Sequence, residues 1–179
     1  MKTFIALTLI GILSYAYAAQ LVPIDKCKVV TPMDNFSATK LFNGMWYVTH
    51  VQKETSKTVC QTFKNSKTSD SKYITEFEYD EHGNPNKIHC EASREPVEKK
   101  LSFNCKKNGE HVFQSNFIVL DTDYNDYAVF YRCVTLKSGV KADNFVVIRR
   151  DPNKEEIPEK AKPFTNSLNL LKCSDFKKV

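Results

Sequence analysis

From Met45 onward, apolar and polar residues alternate along the chain, which is the period of strands that bury one face. Polar segments rich in Asn, Gly, Ser and Pro interrupt the alternation and favour turns. The pattern predicts strands at residues 46–51, 58–63, 72–79, 86–92, 100–106, 112–120, 127–136 and 144–149. Eight short strands in sequence suit a barrel or a sandwich, and counting strands does not separate the two.

Turn residues lie at Asn65-Ser66, at 82–85, at Asn108-Gly109 and at Ser138-Gly139. Asn108-Gly109 is the strongest hairpin signal, because both central residues of a type I′ turn need positive φ. Residues 159–171 favour a C-terminal helix, which Pro163 restricts to a broken or late-starting one.

The N-terminus has the pattern of a secretory signal peptide. Lys2 precedes an apolar run from Phe4 to Leu13, and Ala16-Tyr17-Ala18 is a small-residue cleavage site. The predicted signal peptide is 1–18 and the mature domain is 19–179. The apolar run is too short for a membrane helix, so we expect a secreted protein without a membrane span. Asn35-Phe36-Ser37 is a possible glycosylation acceptor.

All six cysteines follow the predicted signal peptide: Cys27, Cys60, Cys90, Cys105, Cys133 and Cys173. An even number in an exported chain predicts three disulfides, although spacing alone does not choose among the possible pairings. The sequence contains no C-x-x-C, which argues against a metal-thiolate site.

Charge and motifs narrow the function. The chain has 179 residues and a formal charge of +5, without the basic tract typical of nucleic-acid binding. Its four histidines have no repeated spacing, and neither G-x-S-x-G nor H-E-x-x-H occurs. We therefore predict a monomeric protein that is not an enzyme, with no cofactor and no metal.

Three short segments together resemble the signature regions of lipocalins. They are Gly44-Met45-Trp46, Thr122-Asp123-Tyr124 and the pair Arg149-Arg150. In lipocalins these regions meet at the closed end of an eight-stranded antiparallel up-and-down barrel, where an arginine lies across the Trp ring. The resemblance predicts a barrel floor built from Gly44, Trp46, Thr122, Asp123, Tyr124 and Arg149.

The extended segments 44–50 and 121–128, with Pro152-Asn153 after the arginines, are similar to the triabin/procalin-like salivary lipocalins of blood-feeding triatomine bugs. The resemblance implies the disulfides Cys27–Cys133 and Cys60–Cys173. Cys90 and Cys105 then remain on adjacent antiparallel strands, within bridging reach, and are expected to pair.

The related nitrophorins bind haem through a strand histidine. The corresponding segment here is Phe77-Glu78-Tyr79-Asp80, which places Glu78 at the ligand position. Glutamate does not replace imidazole as a haem ligand, so a haem-based carrier is not expected.

Alternation assigns residues to the barrel lumen once one residue on each strand is fixed. An inward Trp46 brings Val48 and His50 inward, and an outward Cys133 brings Phe130, Arg132 and Val134 inward. An inward Glu78 follows from its correspondence to the haem-binding histidine. A register shift at a bulge would move such a set outward.

The two lumen charges allow different ligands. Arg132 would bind a carboxylate such as that of an eicosanoid, and Glu78 would bind a biogenic amine. The alternative is an internal ion pair between Arg132 and Glu78 that fills the lumen.

The resemblance also implies a second mode of binding, in which outer loops contact a host protein. Loops 53–58, 65–72, 81–86 and 106–110 are expected at the open end, and several are rich in lysine. The implied function is a secreted salivary protein that impairs haemostasis by binding a coagulation or contact-system protein. The alternatives are sequestration of a small platelet or vasoactive mediator, and a salivary allergen without a defined ligand.

Overall fold

The computed structural model of the protein describes residues 22–55, 59–81, 84–95 and 99–176. The predicted signal peptide, 1–18, lies outside the described residues. The strands are β1 Gly44–Val51, β2 Thr62–Lys67, β3 Tyr73–Glu81, β4 Asn84–Glu95, β5 Lys100–Lys107, β6 Glu110–Thr122, β7 Tyr127–Leu136, β8 Lys141–Arg149 and β9 Leu171–Lys172. The helices are α1 Ala38–Leu41 and α2 Lys162–Thr165, with 3-10 turns at Glu159–Ala161 and Cys173–Asp175.

Strands β1 to β8 form a closed antiparallel barrel. Each strand pairs with the next one along the chain, and β1 also pairs with β8. The short β9 pairs with the last two residues of β1, on the edge of β1 opposite β8. The up-and-down barrel is therefore confirmed, and the sandwich alternative is wrong.

The second strand lies later in the chain than its predicted position at 58–63. It spans Thr62–Lys67, so Cys60 precedes it and the predicted turn Asn65-Ser66 belongs to the strand. The turn is made instead by Thr68, whose backbone N–H and hydroxyl both bond to the carbonyl of Lys72, at 2.9 and 3.2 Å. Asn65 is buried because its side chain faces the lumen, which explains why a turn-forming residue lies in a strand.

The predicted C-terminal helix is present but short. A 3-10 turn leads into the single helical turn of α2. Pro163 lies at the start of α2, where a backbone N–H would have no acceptor within the helix, so its missing N–H is tolerated. This segment and the N-terminal residues 24–30 cover the outer face of β6 to β8. The resulting outer cluster includes Ile24, Val30, Leu120, Tyr131, Phe145, Val147, Ala161 and Leu168.

All three predicted disulfides are confirmed. The Cα–Cα distances are 5.8 Å for Cys27–Cys133, 5.6 Å for Cys60–Cys173 and 4.0 Å for Cys90–Cys105. The first two bonds attach the N- and C-terminal segments to the barrel. The third joins directly opposite residues of β4 and β5.

Trp46 forms the floor of the barrel and is fully buried. Its indole N–H donates to the carbonyl of Leu41 at 2.9 Å, which attaches α1 to the closed end. The arginine across its ring is Arg150, whose guanidinium carbon lies 3.7 Å from the ring centroid. Gly44 has φ +61°, and a Cβ there would lie 3.4 Å from Arg150 Nη1.

The assignment of Arg149 to the Trp46 contact is wrong by one residue. Arg149 is the last residue of β8 and lies on its outer face, where it donates to Asp126 Oδ2 at 2.8 Å and to the carbonyl of Glu156. Arg150 follows the strand and turns back over the barrel end. Neighbouring arginines on a strand point to opposite faces, so only one of the two can stack on Trp46.

The segment Thr122-Asp123-Tyr124 forms the β6–β7 turn at the same end. Asp123 Oδ1 accepts backbone N–H groups from residues 125, 126 and 127 at 3.1, 2.8 and 3.1 Å. Tyr124 has φ +65°, and its hydroxyl accepts from the N–H of Ser37 at 3.0 Å. The predicted floor residues thus gather around the closed end, where Arg149 lies on the outer face and bonds Asp126.

Candidate functional site

The barrel lumen contains two adjoining cavities. The deep cavity has a volume of about 30 Å³, and the outer cavity, toward the open end, has a volume of about 190 Å³. Phenylalanines fill most of the deep part: Phe42, Phe63, Phe77, Phe103, Phe117 and Phe130. The outer cavity has mostly apolar walls, which include Val48, Val59, Val134, Leu136 and Val146, and polar residues such as Thr55, Gln61, Asp143 and Asn144 also line it.

Strand β7 contributes the predicted lumen residues Phe130, Arg132 and Val134, which all line the outer cavity. Their orientation follows from Cys133, which points outward to bond Cys27. Val48 of β1 also lines this cavity.

His50 does not line either cavity, so its predicted orientation is wrong. The pairing of β1 with β8 shifts between Val48 and His50, which is a β-bulge that reverses the alternation. His50 is buried beside β9, and its Nδ1 lies 3.1 Å from the Thr49 hydroxyl. Burial, followed by the nearby charges of Lys172 and Arg149, lowers the pKa of His50.

Glu78 is exposed on the outside of the barrel, so its predicted inward orientation is also wrong. On β3 the odd-numbered side chains face inward, and Thr75 and Phe77 line the deep cavity. Glu76 shares the outer face and contacts Lys87 at 3.0 Å and His89 at 3.1 Å. Hydrogen bonds from His89 and Lys87 lower the pKa of Glu76.

Arg132 lies where the two cavities meet and lines both of them. Its Nε donates to Ser115 Oγ at 3.0 Å, and its guanidinium carbon lies 5.7 Å from the Phe77 centroid and 5.5 Å from the Phe113 centroid. Burial lowers the pKa of Arg132 to about 10. No carboxylate among the described residues pairs with Arg132, so the internal ion pair with Glu78 does not form.

The deep cavity contains a second polar group. The hydroxyl of Thr75 donates to Asn65 Oδ1 at 2.9 Å, and both residues line this cavity with Arg132 and Ser115. Sequence reasoning missed Asn65 because Asn-Ser is a frequent turn dipeptide. The available signal was its position two residues after Phe63, which puts both side chains on the same face of a strand.

The open end is organised by two neighbouring residues of β8 that sequence reasoning also missed. Asn144 Oδ1 accepts the backbone N–H groups of Gln52 and Lys53 at 2.9 and 3.0 Å, and its amide donates to the carbonyl of Lys53 at 2.7 Å. Asp143, on the outer face, pairs with Lys53 Nζ at 2.5 Å. Two polar residues in an otherwise apolar strand were the available signal.

Asp143 also connects this end of the barrel to the N-terminal segment. The Tyr131 hydroxyl donates to Asp143 Oδ2 at 3.1 Å and accepts from the backbone N–H of Lys28 at 2.7 Å. Burial raises the pKa of Tyr131 to about 12. The start of the β1–β2 loop is therefore fixed from two sides.

One predicted binding loop lies at the wrong end. Gly44 pairs with Asn65, so segment 65–72 returns to the closed end rather than the open end. The described parts of the other three loops, 53–55, 84–86 and 106–110, lie at the open end, because they adjoin strands that run between the closed and open ends. Residues 56–58 and 82–83 lie outside the described residues. Asn35 is exposed with φ +55° beside α1.

Within the described ranges, no group of three His, Cys, Asp or Glu side chains could hold a metal ion. No helix in the described part of the chain is long and apolar enough to cross a membrane. The lumen around Arg132, which lines both cavities, is the candidate site.

Comparison with known proteins gives a consistent result. The family model described as Triabin matches residues 17–162. Procalin of Hospesneotomae protracta is 38% identical over 97% of this chain and 99% of its own. Triabin of Meccus pallidipennis is 33% identical over 88% and 99%. A mutant of LTBP1 in complex with leukotriene C4 is 27% identical with a TM-score of 0.63, over 79% of this chain and 88% of that one.

Proposed function

Because this chain belongs to the triabin family of lipocalins, we propose that it acts without catalysis by enclosing a small apolar ligand that carries a carboxylate. The observation that supports this proposal is Arg132, a partly buried cation on the lumen wall without a carboxylate partner among the described residues. A guanidinium presents paired N–H groups that match a carboxylate, and the contact is strongest away from water.

The shape of the lumen indicates how the ligand would lie. The carboxylate would contact Arg132, and the apolar chain would run along the aliphatic walls of the outer cavity toward the open end. The volume of about 190 Å³ lies below the roughly 300–1,000 Å³ of most ligand pockets. Only part of a long mediator would be enclosed, and the remainder would extend from the mouth.

The structure weakens the amine alternative and strengthens the carboxylate one. Glu78, the residue expected to bind an amine, is on the outer surface, where its charge does not enter the lumen. The relative solved with leukotriene C4 supports a lipid mediator of this kind, because leukotriene C4 also carries carboxylates.

Calorimetry with three ligands of one chain length tests the proposal. An eicosanoid carboxylate should bind, whereas its methyl ester and the corresponding primary amine should bind at least about tenfold more weakly because neither presents an anion to Arg132. Equal affinity for all three ligands would contradict the proposal.

A second candidate function is capture of a coagulation or contact-system protein by the outer surface. Exposed lysines at the open end, Lys106 and Lys137, would favour an acidic partner surface. Clotting times measured with an Arg132→Met variant separate the two candidates. Prolonged clotting that the variant retains in full supports protein capture, and prolonged clotting that it loses supports the lumen ligand.

Secretion into saliva remains part of the proposal, with removal of residues 1–18. Sequencing the N-terminus of the protein recovered from secretions should give residue 19 first. Recovery of a chain that begins at Met1 would contradict the cleavage prediction.

A further inference from the structure

The guanidinium of Arg132 uses only part of its hydrogen-bonding capacity. Of its five N–H groups, only that of Nε has a partner in the described part of the chain, the Ser115 hydroxyl at 3.0 Å. The aromatic faces of Phe77 and Phe113 lie nearby, and they do not supply a full negative charge. A cation that is partly buried in an apolar lumen without a counter-charge is costly, so an anion in contact with it would be stabilised.

The other polar groups of the deep cavity are also oriented as donors. The Thr75 hydroxyl donates to Asn65 Oδ1, so the amide N–H₂ of Asn65 is the part of the side chain left for the cavity. Ser115 Oγ accepts from Arg132, which leaves its own O–H able to donate. No carboxylate is among the described side chains that line this cavity.

The size of the deep cavity limits what can occupy it. Its volume of about 30 Å³ exceeds the roughly 10–15 Å³ that one water molecule needs, so a monatomic ion fits there. The remaining walls are phenylalanine rings, Thr75, Ile148 and the Cys90–Cys105 disulfide, so the cavity suits a small anion better than a large one.

We propose that the deep cavity bounded by Arg132, Asn65 and Ser115 is a halide site, and that chloride binds there when the lumen holds no organic ligand. The ion would neutralise the guanidinium and accept hydrogen bonds from the amide and hydroxyl groups. This site stands on the donor geometry alone and does not require an organic ligand.

One consequence rests on the proposed function. If a ligand carboxylate contacts Arg132, the two anions share one guanidinium and repel each other, so chloride should compete with the ligand. A neutral ligand that occupies only the outer cavity should not compete. Ligand affinity would then depend on halide concentration rather than on ionic strength.

The chloride NMR line width in the presence of the protein tests the site directly. Wild-type protein should broaden the line, and added bromide should reverse the broadening. Arg132→Met should abolish it. Asn65→Asp should also abolish it, because the new carboxylate keeps the Thr75 hydrogen bond and supplies an internal counter-ion. Broadening that both variants retain, or no broadening by the wild type, would overturn the halide site.

A second measurement separates this inference from the proposed function. At constant ionic strength, replacement of methanesulfonate by ~150 mM chloride should weaken the binding of a carboxylate ligand, roughly in proportion to the chloride concentration once the site is saturated. A ligand affinity that does not change with chloride concentration would overturn the competition and leave the proposed function intact. Chloride broadening without any carboxylate binding would support the halide site and contradict the proposed function.

Discussion

Arg150 covers the indole ring of Trp46, with its guanidinium carbon 3.7 Å from the ring centroid. Its Nη1 also donates to the carbonyls of Asn43 and Met45 at 2.6 and 2.8 Å. The arginine therefore satisfies backbone acceptors on both sides of Gly44 while it seals the closed end. This contact stabilises the scaffold and lies at the end of the barrel opposite the mouth.

Replacement of Arg150 by Met should lower the free energy of unfolding by about 2–3 kcal/mol, because a cation–π contact and charge-assisted hydrogen bonds are lost together. Urea unfolding followed by the fluorescence of Trp46, the only tryptophan, measures the change. Lys160→Met, at an exposed site in the 3-10 turn Glu159–Ala161, is the control. Its free energy of unfolding should stay within about 0.5 kcal/mol of the wild type. Equal effects of the two substitutions would contradict the role of Arg150.

The buried histidine should make stability depend on pH. The pKa of His50 is lowered from 6.5 mainly by burial, so the unfolded chain binds a proton at higher pH than the folded chain does. Stability from this group is complete above pH 6.5 and is lost as pH falls through the lower folded pKa. His50→Gln should flatten the fall in the urea midpoint below that pH, whereas His111→Gln, an exposed control, should leave it steep. A fall of the same steepness in both variants would exclude His50.

The Cys60–Cys173 bond should hold the C-terminal segment against β1. Replacement of both cysteines by serine should cost about 2–5 kcal/mol of stability. Amide hydrogen exchange should accelerate first at residues 171–176, since β9 has only a two-residue pairing with β1. Exchange that accelerates evenly over the barrel would show that the bond acts globally.

The unliganded protein should be no less stable without the charge of Arg132. Arg132→Met removes a buried cation that has no carboxylate partner among the described residues and keeps an apolar side chain of similar length. Thermal unfolding in chloride-free buffer should give the same midpoint as the wild type or a higher one. A large loss of stability would mean that Arg132 serves the fold rather than a ligand.

The fold could be predicted largely from the sequence because strand alternation, the cysteines and the lipocalin-like segments agree. The lumen could be predicted only in part. Arg132 faces the lumen as expected, since the outward Cys133 determines which side chains of β7 point inward. The orientation of Glu78 was predicted wrongly, because it rests on the correspondence with a haem-binding histidine. The buried aromatic residues Tyr73 and Phe77 indicate instead that the odd-numbered side chains of β3 face inward.

His50 and Arg149 show what alternation cannot supply. A single bulge after Val48 reverses the faces of β1, and no residue type in the segment indicates it. Arg149 and Arg150 are chemically identical neighbours, so only the register at the end of β8 decides which one reaches Trp46. Asn65 and Asn144 were missed because their partners are backbone or hydroxyl groups brought close by pairing distant in sequence.

The most direct test of the lumen proposal compares Arg132→Gln with Glu78→Gln in calorimetric titrations with an eicosanoid carboxylate. Loss of a buried charge pair costs about 2–5 kcal/mol, so Arg132→Gln should weaken binding by at least about 30-fold. Glu78→Gln, outside the barrel, should bind like the wild type. Unchanged affinity in Arg132→Gln, or an equal loss in both variants, would contradict a carboxylate site at Arg132.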